Sequence, residues 1–282
     1  MSISQNNPWQ KIDFKKDEEY VCPKYLKDDR DIIDEENDRS HKAKSKRKYK
    51  LRTDLFPMPF VGEIEESEIF LLQANPGASL GTATNEPPSK KCQLFESYRV
   101  RVEKCLRQNF SEGDYPFYFL DPEIWWVHGS YWWRETLGDL IEAVAINQLE
   151  VEGRDGIYKM LEEGTDFRPI YKLTSKKICA VELYGYRSKN YRRPQEWFES
   201  CEFQAQIVNH AINQDKQIIL MRAEKDWKKL LTDSDVELSG EELAQYENCM
   251  TLSSKQNSKI SSNNLESDLE EPLQFLVNLI ID

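Results

Sequence analysis

The chain has 282 residues, enough to bury a sizeable core in one large domain. Its 38 Lys and Arg stand against 50 Asp and Glu, and the net charge of −12 argues against nucleic-acid binding through the whole surface. No stretch of about 18 apolar residues and no apolar leader is present, so a cytoplasmic monomer with no membrane partner is expected. The six cysteines (22, 92, 105, 179, 201 and 249) show no CxxC spacing, and the three histidines are dispersed. They read as reduced thiols rather than a disulfide frame, and no metal or cofactor is expected.

Residues 1–55 are charged and poorly periodic, and read as a partly flexible N-terminal extension. Within them "KDDRDIIDEENDR" is followed by "HKAKSKRKYKLR", which carries seven Lys or Arg and no acid. That run is either a solvated loop or a basic arm that touches phosphates. The second unit, 56–282, opens with "FPMPFVG". Four compact apolar runs then predict short buried strands at 68–74, 177–184, 217–223 and 248–253, of the kind that suit a parallel sheet covered on both faces. Helical spacing predicts helices over 132–149, 194–212 and 224–233, and a closing helix in "EEPLQFLVNLIID". Two insertions, 78–115 and 150–170, interrupt the alternation. The order implies an α/β fold: a three-layer α/β/α sandwich around a four-stranded parallel sheet.

In such a sheet ligands bind at the carboxyl ends of the strands. The first strand there ends in "FLLQANPGAS", placing Asn75 at its tip. The second ends at Glu182 and runs into "GYRSKNYRRP", with Arg187, Lys189, Arg192 and Arg193. "RAEKDW" follows the third, and "SSKQNSKISSNNL", with Ser253, Ser254 and Lys255, follows the fourth. "YPFYFLDPEIWW" lies between the first two. An amide, a carboxylate, aromatics and cations together suit a flat ligand that carries phosphate. There is no GxGxxG and no Walker loop. The block "WWVHGSYWW" is either core or a stacking surface.

This arrangement resembles the uracil-DNA glycosylase superfamily, and "QANPG" resembles the NPG motif of its mismatch-type branch. The similarity runs in order over roughly residues 57 to 280, with "NPG" the one literal match. It implies a DNA partner, double- or single-stranded, and hydrolysis of the N-glycosidic bond of a flipped base. It also implies that Asn75 holds the attacking water, that Tyr118 or Phe117 stacks on the base, and that Glu182 reads the base edge. Arg187, Lys189, Arg192, Arg193, Ser253, Ser254 and Lys255 are then the DNA contacts. Two features depart from the family: Ser253 and Ser254 stand where a His often heads the last motif, and Glu182 stands where an Asn reads uracil. An ionised carboxylate only accepts, which would favour an amine-bearing base such as cytosine or a modified cytosine. The other reading of Glu182 is a plain ion pair with Arg187 or another nearby cation. A binding module that has lost hydrolysis, and an acidic protein-interaction factor, are the alternatives to an enzyme.

Overall fold

The computed structural model describes residues 3–12, 14, 25–41, 48–77, 93–254 and 256–282. Its sheet has six strands in the order β1-β3-β2-β4-β5-β6. These are β1 Phe60–Val61, β2 Ile69–Gln73, β3 Ile178–Glu182, β4 Gln217–Leu220, β5 Cys249–Leu252 and β6 Leu265–Glu266. β2 pairs in parallel with both β3 and β4, and β4 pairs in parallel with β5. Every residue of β2, β3 and β4 is buried, as uninterrupted apolar runs require when both faces are covered.

The sheet is mixed α/β rather than wholly parallel. β1 joins β3 and β6 joins β5, both antiparallel. Each edge strand is two residues long, too short to leave a period-2 pattern in the sequence. Short edge strands of this kind limit pairing with other chains.

The helices are α1 Arg30–His41, α2 Gln93–Arg107, α3 His128–Thr136, α4 Gly138–Gln148, α5 Gly153–Glu162, α6 Arg168–Lys177, α7 Cys201–Asn213, α8 Glu224–Asp233, α9 Gly240–Gln245 and α10 Pro272–Ile281. α8 and α10 fall where periodicity places them. The helix expected over 132–149 is two helices that break at Leu137 (φ −94°, ψ 1°). The one expected from 194 starts only at Cys201. The backbone of 194–200 is held by the N-terminal segment instead: Gln195 N–H donates to Glu36 and Ser200 N–H to Asp29, each at 3.0 Å. Those long-range acceptors compete with helix formation.

The expected boundary at residue 55 is not a structural one. Trp9, Ile12, Phe14, Leu26, Ile33 and Leu51 are buried in the same apolar core as the strands. Trp9 is fully buried with its ring centroid 5.5 Å from that of Tyr186. Gly185 makes room for it, since a Cβ there would lie 2.7 Å from the indole. Residues 42–47 of the basic run lie outside the described residues, as do Cys22, Cys92 and most of the stretch after Asn75. No helix among the described residues is long and apolar enough to cross a membrane.

Candidate functional site

Three adjacent strand tips meet at one cavity of about 710 Å³. Gln73 of β2 is the register partner of Glu182 of β3, so their side chains project from the same face of the sheet. Asn75 follows two residues beyond Gln73. On the other side of β2, Met221 N–H and Arg222 N–H donate to the Leu72 carbonyl at 3.1 and 3.3 Å, which fixes the tip of β4 beside that of β2. Gln73, Asn75, Glu182, Lys189 and Arg222 all line the cavity.

Asn75 is held in one orientation. Its Nδ2 donates to the Pro76 carbonyl at 3.2 Å, the Ser188 carbonyl at 3.4 Å and Ser188 Oγ at 3.0 Å. Carbonyls only accept, so the NH₂ must be the end that faces them. Oδ1 is left on the cavity wall without a hydrogen-bond partner among the described residues. The loop after β3 grips this turn a second time: Gly77 and Ser188 form a parallel bridge, and Arg187 Nε donates to the Gly77 carbonyl at 3.1 Å. Arg187 is 5% exposed, so it braces the turn from within as well as lining the cavity.

Glu182 forms part of the floor and is buried. Burial pushes its carboxyl up to about 8, against the opposing pull of the Arg222 and Arg187 charges. Oε2 has no hydrogen-bond partner, and Arg187 Nε is turned to the Gly77 carbonyl. The expectation of an ionised carboxylate is thereby set against burial, which favours the protonated form. Burial thus favours a neutral carboxyl, with one O–H donor and a carbonyl acceptor, over an acceptor-only anion. Beside it, Gln73 Nε2 has among the described residues only the thioether of Met221 as a partner, at 2.8 Å, and a sulfur is a weak acceptor. The floor thus offers a donor and acceptor pair that a polar edge of a ligand could take over.

The aromatic wall comes from 119–133. Phe117 and Tyr118, the expected stacking residues, are both buried in the core, and neither lines the cavity. Phe117 packs edge-on against Trp133 at 5.0 Å, and Tyr118 edge-on against Tyr98 at 6.1 Å. Phe119 is the ring at the cavity. Tyr118–Leu120 forms a single 3₁₀ turn, in which successive side chains diverge by about a third of a turn, so one of three neighbours faces the cavity. Gly129 of α3 lets that ring sit close: a Cβ there would lie 2.5 Å from Phe119 Cε1. Trp132 and Trp133 complete the wall and His128 joins it; Trp125 and Trp126 pack elsewhere, against Tyr171 and Tyr98.

The remaining expected contacts disperse. Arg192 Nη2 binds Glu36 Oε2 at 2.8 Å and Ser40 Oγ at 2.9 Å, fastening α1 to the loop after β3. Arg193 pairs with Asp226 at 3.3 Å. Neither lines the cavity. Ser253 Oγ and Ser254 N–H bond Asn264 Oδ1 at 3.1 and 3.2 Å, folding their loop on itself away from the cavity lining. Lys255 lies outside the described residues. Among the described residues no group of three or more His, Cys, Asp or Glu is placed to hold a metal ion.

Sequence reasoning missed Ser188, Phe119 and Arg222. Ser188 and Phe119 carry no local signal. Arg222 does: it stands two residues past β4, the same offset at which Asn75 follows β2. Comparison with family models, curated proteins and solved structures returns no match for this chain.

Proposed function

We propose that the chain is a glycosylase-like hydrolase that cleaves the N-glycosidic bond of a nucleobase turned out of its stack. A three-layer α/β/α sandwich around the parallel strands, and DNA as the partner, belong to this reading. The observation that supports it best is the pairing of Asn75 and Glu182 on one cavity: a fixed amide and a buried carboxyl whose Oε2 has no partner, on two neighbouring strand tips.

In the reaction, Asn75 Oδ1 accepts a hydrogen bond from a water and aims its oxygen at C1′. The C1′–N bond breaks and its electron pair leaves with the base. The water oxygen bonds C1′, one of its protons is lost, and the base ends protonated. An amide is a weak base, which suffices where the sugar carries oxocarbenium character before the water attacks. Neutral Glu182 donates to a ring nitrogen or carbonyl of the base and accepts from an adjacent N–H or amine, and Phe119 supplies the stacking face. A neutral carboxyl pairs with cytosine through N3 and N4 and with uracil through O4 and N3. The amine preference expected of an anion is thereby confined to pH above about 8.

The second reading is a binding module on the same fold. The Ser253–Ser254 loop favours it, because among the described residues it brings no leaving-group donor to the cavity. The deciding experiment is base release from duplex and single-stranded DNA containing cytosine, modified cytosines, uracil and mismatches, with alkali revealing abasic sites. Release by the wild type that is lost in Asn75→Ala supports the hydrolase. DNA binding without release from any substrate supports the module.

A further inference from the structure

We infer that Lys189 and Arg222 form a phosphate subsite at the mouth of the cavity, so that its ligand enters as a phosphate-bearing nucleotide and not as a free base or nucleoside. This deepens the proposed function and rests on it for the identity of the flat group.

The argument begins with the charges on the wall. In a chain of net charge −12, Glu182 is the only acid among the described residues that line this cavity. Burial favours the protonated form of its carboxyl. Against it stand Arg187, Lys189 and Arg222. Arg187 is engaged with the Gly77 carbonyl. The side chains of Lys189 and Arg222 make no hydrogen bond or ion pair among the described residues, whereas Arg192 and Arg193, close by in sequence, each have a carboxylate. The cavity is therefore a locally positive concavity on an acidic protein, the arrangement that concentrates an anion.

The placement of the two cations adds to this. Lys189 lies in the loop after β3 and Arg222 just past β4, on either side of the β2 tip that carries Asn75. Two strand spacings separate their elements by about 10 Å, a gap that a phosphate between a lysine and an arginine side chain can bridge. Arg222 is followed by Ala223 at φ 55°, a left-handed conformation uncommon for a residue with a Cβ. Glu182 Oε2, buried and unpartnered on the floor, gives a second and independent sign of a ligand: a polar edge is wanted below and an anion above. A nucleotide has both, with an aromatic face between them for Phe119.

The same phosphate chemistry could come from a free mononucleotide or from a strand. The test titrates the full chain with the four deoxynucleosides, their 5′-monophosphates and a mixed-sequence deoxypentanucleotide, following quenching of tryptophan fluorescence. Wild type is compared with the Lys189→Ala/Arg222→Ala double variant. At least one monophosphate is expected to bind about tenfold more tightly than its nucleoside, or the pentanucleotide by at least that factor. The advantage should shrink to about twofold in the double variant, with nucleoside affinity unchanged. An advantage confined to the pentanucleotide identifies a strand as the source. Equal binding of nucleoside and nucleotide, an advantage that survives the double variant, or no binding by any probe would each overturn the subsite. Because binding is read without turnover, a phosphate advantage without base release leaves the subsite standing while the hydrolase falls. Base release without the advantage does the reverse.

Discussion

Ser188 Oγ accepts a hydrogen from Asn75 Nδ2 at 3.0 Å and donates its own to the Asn190 carbonyl at 2.8 Å. One buried hydroxyl thus joins the amide to the loop that carries Lys189. Ser188→Ala removes both bonds and leaves the Asn75 amide held only by the longer bonds to the Pro76 and Ser188 carbonyls, at 3.2 and 3.4 Å. Stability is expected to fall by about 1–2 kcal/mol, the loss from an unsatisfied buried group. Base release is expected to fall by one to two orders of magnitude, roughly the effect of misplacing a reacting group, with KM little changed. Thermal melting and single-turnover rates measure the two effects separately. A rate that drops no further than the folded fraction would make Ser188 merely structural.

Glu182 makes stability depend on pH in a definite direction. Its carboxyl titrates near 4.5 in an open chain and near 8 when folded. Below pH 4.5 it is protonated in both states and adds no dependence. Between 4.5 and 8 the unfolded chain has released a proton that the folded chain still holds, so stability from this group declines as pH rises. The decline is complete above pH 8 and amounts to about 3–5 kcal/mol. Glu182→Gln has no proton to lose and should flatten the profile across that window. It should also be the more stable protein at pH 9. Urea titrations at pH 5, 7 and 9 test this; parallel profiles for the two proteins would show that the carboxyl is not held neutral.

Asn75 and Glu182 stood out because each lies at the carboxyl end of a compact apolar segment, and a buried parallel strand leaves that mark in one dimension. β2, β3, β4 and β5 fall within the expected segments for the same reason. What could not be read depends on partners distant in sequence. Arg187, Arg192 and Arg193 look alike until Gly77, Glu36 and Asp226 sort them. Phe117, Tyr118 and Phe119 are told apart only by the phase of a 3₁₀ turn. Trp9, Ile12, Phe14 and Leu26 follow no helical or strand period, so a segment that belongs to the core read as an appendage.

The contact between Gly129 and Phe119 offers a way to close the cavity without touching its polar groups. Any Cβ at 129 meets the Phe119 ring at 2.5 Å, and the flexible end of a small side chain is not there to yield. Gly129→Ala is expected to displace the ring, at a cost of about 1–3 kcal/mol for overpacking. Ligand affinity should fall with it. A Gly129→Ala/Phe119→Leu double variant, which removes the clash, should regain much of the stability but not the stacking. If Gly129→Ala binds and melts like wild type, Phe119 is not fixed as the wall.

Arg192 and Arg193 are neighbours in sequence with opposite expected behaviour. Arg192 reaches Glu36, whose side chain is only 7% exposed, and also holds Ser40. Removing it leaves Glu36 with Arg39 at 3.0 Å as its remaining cation, so Arg192→Ala should cost about 2–3 kcal/mol and loosen α1. Arg193 meets Asp226 at the surface, where such a pair contributes little, and Arg193→Ala should change stability by less than about 0.5 kcal/mol. Two phosphate contacts would behave differently: each variant would weaken DNA binding and reduce its salt dependence by a similar step. Melting curves, proteolysis of the N-terminal segment and salt-dependent DNA titrations distinguish the two patterns. A shared loss of DNA affinity with unchanged melting would return both arginines to the nucleic-acid interface. A fall in melting confined to Arg192→Ala, with the salt slope unchanged in both, keeps Arg192 as the fastening of α1.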